Sequence, residues 1–321
     1  MKRRALIAFA FIAAAVPARA ASAQARTFRL GILANRRNLG PDELLTALRD
    51  LGYVEGRNLI VEWRFSEGVG ERWPALARDL VALKVDAIVV STTPAALAAK
   101  QATSTIPIII PTAIDPVGAG LAESLARPGG NVTGFTMMAP EISGKAFSLF
   151  KEAIPTLHRV AVLWDVANPA LTGVWQSVDV AAGSLGVTLA SAPVREPKDF
   201  STAFAAIAAQ RPQGVFIFED ALMAQHMDEN VDFLLRERLA SASTVKEFPS
   251  VGGLMSYGAN IASLQRQAAS YVDRIFKGES AATLPFQEPT AFELVINLKT
   301  AKDLGVIIAP AVLAKADDVI E

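Results

Sequence analysis

The chain contains no cysteine, which excludes a disulfide framework, a thiolate metal site and a lipid-modified leader cysteine. Histidine is nearly as scarce. His158 precedes an apolar run and His226 sits in a charged helical stretch, so neither is placed as a triad base or a metal ligand. Neither sign of charge is in excess, with 31 basic against 32 acidic side chains, and a chain so balanced lacks the basic surface that nucleic acids require. There is no GxxxxGK(S/T) loop, "ARPGGNVTG" lacks the spacing of a dinucleotide fingerprint, and no GxSxG elbow is present. Nucleotide chemistry and α/β-hydrolase chemistry are therefore unsupported, and no cofactor and no metal are expected.

Long apolar runs are missing from all but the beginning. Lys2, Arg3 and Arg4 precede "ALIAFAFIAAAV", followed by the small-x-small sites "ARA" and "AQA", the grammar of a cleaved secretory signal. An apolar run of about a dozen residues is too short for a spanning helix, which needs roughly 20. Residues 1–25 are thus read as a signal peptide, cleaved at Ala20 or Ala25, and the mature protein is expected in the periplasm. Cleavage after Ala25 removes four basic residues and no acidic one, taking the formal net charge from −1 to −5.

The remainder, about 296 residues, suits two domains of roughly 150 residues each. Short apolar runs rich in branched residues, "FRLGILA" (28–34), "LIVEW" (59–63), "DAIVV" (86–90) and "IPIII" (106–110), read as buried strands. Between them lie helical faces made by Leu44, Leu45, Leu48 and Leu51, and by Trp73, Leu76, Leu80 and Leu83. The alternation repeats after residue 139 with "RVAVLW" (159–164), "VTLA" (187–190) and "GVFIF" (214–218). Strands alternating with amphipathic helices give right-handed βαβ units, so the expected fold class is α/β, two doubly wound parallel-sheet domains joined by crossovers. The first domain is expected to span 26–138 and the second 139–284. One further strand, "FELVIN" (292–297), suggests that 285–321 returns to the first domain.

Ligands of open parallel sheets bind beyond the carboxyl ends of the strands. Four places qualify. "VVSTTPAAL" supplies Ser91, Thr92 and Thr93, with Thr93 read as N-cap and Pro94 as the first helical residue. "IPTAIDPV" supplies Thr112 and Asp115, "VLWDVANPAL" supplies Asp165 and Asn168, and "VFIFED" supplies Glu219 and Asp220. Thr93 and Asn168 also suit plain helix capping, and Asp115 before Pro116 suits a plain turn.

Several segments in order, "LRDLGYVEGRNLIVEWRFSEG", "STTPAALAAKQATSTIPIII", "DPVGAGLAESLARPGGNVTGF", "GGLMSYG" and "FELVINLKTAKDLG", resemble the ABC-transporter substrate-binding proteins of the tryptophan-binding-protein-like group. The resemblance spans nearly the whole mature chain. It implies a type I periplasmic-binding-protein fold, a small-molecule ligand held in a cleft, delivery to an ABC permease with a separate cytoplasmic ATPase, and no chemistry on the ligand. The resemblance carries ligand contacts onto Ser91, Thr92, Thr93, Thr112 and Asp115 in the first domain and onto Asn168, Asp220 and Tyr257 in the second. Two segments depart from the group's pattern: "RLASASTVKEF" (238–248) is more polar and lacks a proline, and "FIFEDALMAQHMDEN" carries Glu219 in a loop less charged in many members. A small polar ligand such as an amino acid is expected, with helix N-termini attracting its carboxylate, Asp115 or Asp220 its ammonium, and Trp164, Phe218 or Tyr257 stacking on its side chain. The chain is expected to act as a monomer and not as an enzyme, without nucleic acid. The alternatives are a ligand-sensing domain for a receptor or kinase, separated by whether permease and ATPase genes adjoin, and an exported hydrolase, separated by whether ligand is altered on standing.

Overall fold

The computed structural model describes residues 26–36 and 42–321; the expected signal peptide lies outside them. Two sheets are formed. The first contains β1 (Phe28–Ala34), β2 (Leu59–Phe65), β3 (Ala87–Val90), β4 (Ile108–Ala113) and β5 (Val132–Thr136), all parallel, in the order β2-β1-β3-β4-β5. The second contains β6 (Arg159–Asp165), β7 (Thr188–Val194), β8 (Gly214–Ile217), β9 (Ala240–Ser243), β10 (Met255–Ala259), β11 (Phe292–Asn297) and β12 (Asp318–Ile320). Its order is β12-β11-β10-β9-β8-β6-β7, parallel except between β10 and β11.

The strands are apolar on both faces because helices cover both. In the first sheet Leu30, Ile32, Val89 and Ile109 face Leu264, Ala268, Tyr271 and Ile275 of the helix Ile261–Phe276. Leu33, Ile88, Val90 and Ile110 face Trp73, Leu80, Ala95 and Ala99 on the opposite side. Period-two alternation along each strand divides these residues between two cores. Each fully buried Leu or Ile side chain contributes roughly 1.5–3 kcal/mol. The second sheet is covered in the same way, by a cluster including Phe147, Phe150, Val174 and Phe216 on one face and one including Phe200, Ile207, Val215 and Leu234 on the other.

The tail corrects one expectation. Residues 285–321 do not as a whole return to the first domain: β11 pairs with β10 and β12 with β11, completing the second sheet. The segment that returns is the helix Ile261–Phe276, expected in the second domain, followed by a stretch that bonds along β5 through Gln287 N to Gly134 O at 3.1 Å and Thr136 N to Gln287 O at 2.9 Å. The reason lies in matching faces. The helix's apolar stripe is the cover that the first sheet's outer face needs, whereas the second sheet has an open edge at β10 for "FELVIN" to pair with.

The chain therefore passes between domains three times, after β5, after β10 and before β11. "RLASASTVKEF" keeps its strand, because β9 buries all four of Ala240, Ser241, Ala242 and Ser243 between β8 and β10. Near the first passage β4 and β5 hold register from Ile108↔Val132 to Ile110↔Gly134 and then shift by one residue before Ala113↔Thr136. Pro111, which has no N–H to give the ladder, sits in this bulge. Gly134 has φ 151°, and a side chain there would collide with the Ile110 carbonyl. The bulge separates the regular strand from Thr112, which lines the interdomain cavity.

Candidate functional site

A cavity of about 610 Å3 lies between the two domains, lined from the carboxyl ends of strands in both sheets. On the first-domain wall, Ser91 follows β3 and its Oγ has no hydrogen-bond partner among the described residues. Thr92 comes next. It, and not Thr93, caps the helix Thr93–Ala102: its φ is −146°, and its Oγ1 accepts from Ala95 N at 3.2 Å. Pro94 is accordingly the second helical residue, and Thr93 is the first, with a side chain that is buried on the cavity wall. The physical reason is local: the Thr92 hydroxyl satisfies the N–H of the third helical residue, Ala95, and proline at the second helical position has no N–H to leave unsatisfied. Thr112 lies on the same wall.

The second-domain wall is built on three carboxyls. Asp165 ends β6 and accepts from Ala167 N at 2.7 Å. Asn168 accepts from Ala170 N at 3.2 Å and donates through Nδ2 to Asp220 Oδ2 at 3.2 Å. Asp220 caps the helix Ala221–Gln225, its Oδ1 accepting from Leu222 N at 2.9 Å and Met223 N at 3.0 Å. Glu219, one residue earlier, accepts through Oε1 from Ser243 Oγ at 2.7 Å, while Oε2 has no partner among the described residues. Asn168 does not cap the following helix, which starts at Leu171; it closes the turn before it and ties that turn to Asp220.

Burial dominates the electrostatics. The Asp165 carboxyl is pushed up to about 7, first by desolvation and then by the negative charge of Asp220 beside it. Glu219 is pushed up to about 8, again first by desolvation, with Asp220 and Glu247 adding to it and the Ser243 hydrogen bond opposing it. Asp220 is also raised by burial, against the hydrogen bonds it accepts. Glu219 therefore keeps its proton near neutral pH and Asp165 is only partly ionised there, so the wall does not carry three full charges. Among the described residues, Arg195, beyond β7, is the cation on the wall. Among the described residues this wall offers polar contacts without a nucleophile–base pair.

Six of the eight expected contacts line this cavity: Ser91, Thr92, Thr93, Thr112, Asn168 and Asp220. Two do not. Asp115 borders a separate cavity with Thr136, Pro140 and Glu141, and its Oδ1 accepts from Gly118 N at 2.8 Å, so the turn-forming role has claimed it. Tyr257 is buried in β10, stacked on Phe292 at 6.1 Å with the Lys145 ammonium 4.7 Å over its ring. Its side chain covers the sheet because period-two alternation turns it to that face. Trp164 stacks on Trp175 at 5.1 Å and donates to Ser191, and Phe218 packs edge-on to both tryptophans; neither ring reaches the cavity.

Among the described residues the aromatic side chain that lines it is Trp73, which the helical periodicity assigns to a core face. Asn35, at the end of β1, was accessible to the strand-end rule; its Oδ1 accepts from Ser66 Oγ at 2.6 Å. Gln225 and Gln265 come from helices, where nothing in the sequence separates them from solvated positions.

Residues 39–320 match the family model for the ABC transporter substrate binding protein. A tyrosine-binding protein of Clostridioides difficile is 24% identical over 260 residues, covering 81% of this chain and 74% of its own. A conserved domain protein of Vibrio cholerae superposes with a TM-score of 0.87 at 27% identity, over 92% of this chain and 100% of that one. An ABC domain from Streptococcus pneumoniae in complex with L-Trp gives 0.86 at 23% identity, again over 92% and 100%. The expected type I periplasmic-binding-protein fold is the one found.

Proposed function

The chain belongs to the ABC transporter substrate-binding protein family, and from that premise we propose that it captures a small amino acid or a close analogue between its two domains. Members of this family are ligand-capturing components of importers, not enzymes, and delivery to a permease follows from membership. The observation that carries the ligand-site reading is the cavity between the sheets: its polar lining comes from strand ends of both domains, so neither domain alone can satisfy a ligand. A volume of about 610 Å3 lies within the roughly 300–1,000 Å3 of small-molecule sites. Ser91, Thr92, Thr93 and Thr112 supply hydroxyls and a helix N-terminus suited to a carboxylate, and the acidic wall opposite suits an ammonium. The tyrosine-binding relative and the L-Trp complex support an aromatic amino acid as the first ligand to try.

A ligand touching both walls binds the closed arrangement better than an open one and shifts the hinge equilibrium toward closure. The mature chain acts in the periplasm, starting near Ala21 or Arg26, which an intact mass of the exported protein tests. The ligand reading is tested by a thermal-shift screen of the mature protein against the L-amino acids, starting with L-tyrosine and L-tryptophan. At a hundredfold excess over Kd, a bound ligand adds about 2.7 kcal/mol. A flat response across the amino acids refutes the proposed ligand class.

A further inference from the structure

Of the three carboxyls on the second-domain wall, position in the sequence favours Asp220 for holding a ligand's cation. The geometry favours another. Asp220 is used up by two backbone N–H groups, by Asn168 and by a hydrogen bond shared with Asp165, and Asp165 is further held by Ala167 N. These are the bonds of residues that set the shape of the two loops. Glu219 is 8% exposed, lines the cavity, is fixed at one oxygen by Ser243 Oγ, and leaves Oε2 buried with no partner among the described residues. A buried polar oxygen without a partner is costly in the free protein, and a hydrogen-bonding group brought into the cavity that Glu219 lines would relieve that cost. Ser91 Oγ, on the facing domain, has the same standing.

We propose that Glu219 is the carboxyl that receives the ligand's ammonium group, with Ser91 meeting the ligand from the other domain, and that binding expels the Glu219 proton to solvent. Asp220 and Asp165 are positioning residues. The inference rests on the amino-acid capture reading above and adds its recognition group. The chemistry is an ion-pair exchange: the O–H bond of the Glu219 acid breaks, its proton leaves to buffer, and the carboxylate accepts from R–NH3+. The surroundings set the direction. Asp220 and Glu247 act on Glu219 as acids, Asp165 is coupled to Asp220, Glu196 and Arg195 are the other charged groups on the wall among the described residues, and Arg36 lies within hydrogen-bond distance of the wall residue Gln225. The first-domain lining contains no acid or base among the described residues. With burial holding Glu219 up at about 8, the free protein keeps the proton near neutrality and a bound cation removes it.

The test is calorimetric titration of the mature protein with L-tyrosine and L-tryptophan, with tyramine and tryptamine, and with 3-(4-hydroxyphenyl)propionate and indole-3-propionate. Measurements at pH 6, 7 and 8.5, in two buffers of different ionisation enthalpy, count the protons. Expected for the amine-bearing compounds that bind is affinity rising toward pH 8, by up to about tenfold per pH unit, with proton release near neutrality. The deaminated acids bind more weakly and release none. Glu219→Gln raises Kd about ten- to hundredfold, the loss of a charge-assisted hydrogen bond, and abolishes the release. The proton count is read on the wild type, so it stands even if the variant fails to fold. Unchanged affinity in Glu219→Gln, no proton release, or equal binding of the deaminated acids overturns this inference alone. Binding by none of the amines overturns it together with the amino-acid reading.

Discussion

Raising the pH should destabilise the ligand-free protein, with Glu219 as a principal cause. Its carboxyl is buried, retains one side-chain hydrogen bond, from Ser243, and has its pKa moved from 4.5 to about 8 by desolvation first and by Asp220 and Glu247 next. Between those two values the native state holds a proton that the unfolded chain has released. For this group stability is therefore fully present below about pH 4.5 and is lost as the pH rises through about 8. At about 1.4 kcal/mol per pH unit the interval limits the loss to roughly 5 kcal/mol, a large share of the roughly 5–15 kcal/mol by which native proteins are stable. Asp165, raised to about 7, and Asp220, also raised, push in the same direction, and Arg195 partly opposes through Asp165. Glu219→Gln isolates the contribution, since an amide keeps an oxygen for Ser243 and cannot ionise. Urea denaturation followed by tryptophan fluorescence at pH 5.5–9 measures it, because Trp164 and Trp175 stack within the second domain. The wild type should lose several kcal/mol toward pH 9, and the variant should lose less and be the more stable of the two there. Equal slopes for the two proteins would refute the assignment of a buried, protonated Glu219.

Three further outcomes are expected. Asp220→Ala should destabilise the ligand-free protein by about 0.5–2 kcal/mol in urea, the cost of losing a helix cap, because its Oδ1 holds Leu222 N and Met223 N; an unchanged free protein would show that the cap is dispensable. Gly134→Ala should cost more than about 1 kcal/mol by strain at φ 151° and by collision with the Ile110 carbonyl, and its denaturation midpoint reads this directly. For a compound that stabilises the wild type in the amino-acid screen, small-angle scattering should give a smaller radius of gyration in the loaded state, and Asn168→Ala should reduce both the affinity and the compaction by loosening the Asp220 loop; a loaded state of unchanged size would count against closure.

The sequence by itself determined most of the strands, the parallel α/β class and the strand ends that line the interdomain cavity. Buried strands must be apolar on both faces, and helices between them must be amphipathic, so "FRLGILA" and "FELVIN" coincide with β1 and β11. The order of matching segments also made the family legible. What a side chain does at a strand end was only partly readable, because Ser, Thr, Asn and Asp serve caps, turns and ligands alike. Asp115 and Asp220 stand in similar contexts, yet Asp115 is bound to Gly118 beside a different cavity, while Asp220 lines the interdomain one. The chain's return path was decided by tertiary structure alone. Whether the stripe on Ile261–Phe276 covers the first sheet or the second depends on which face is left uncovered once both sheets exist, a condition no local pattern records. The same holds for Glu219: its apolar predecessors signal a strand end, but the missing partner at Oε2 arises from how Ser243, Asp220 and the opposing domain pack around it.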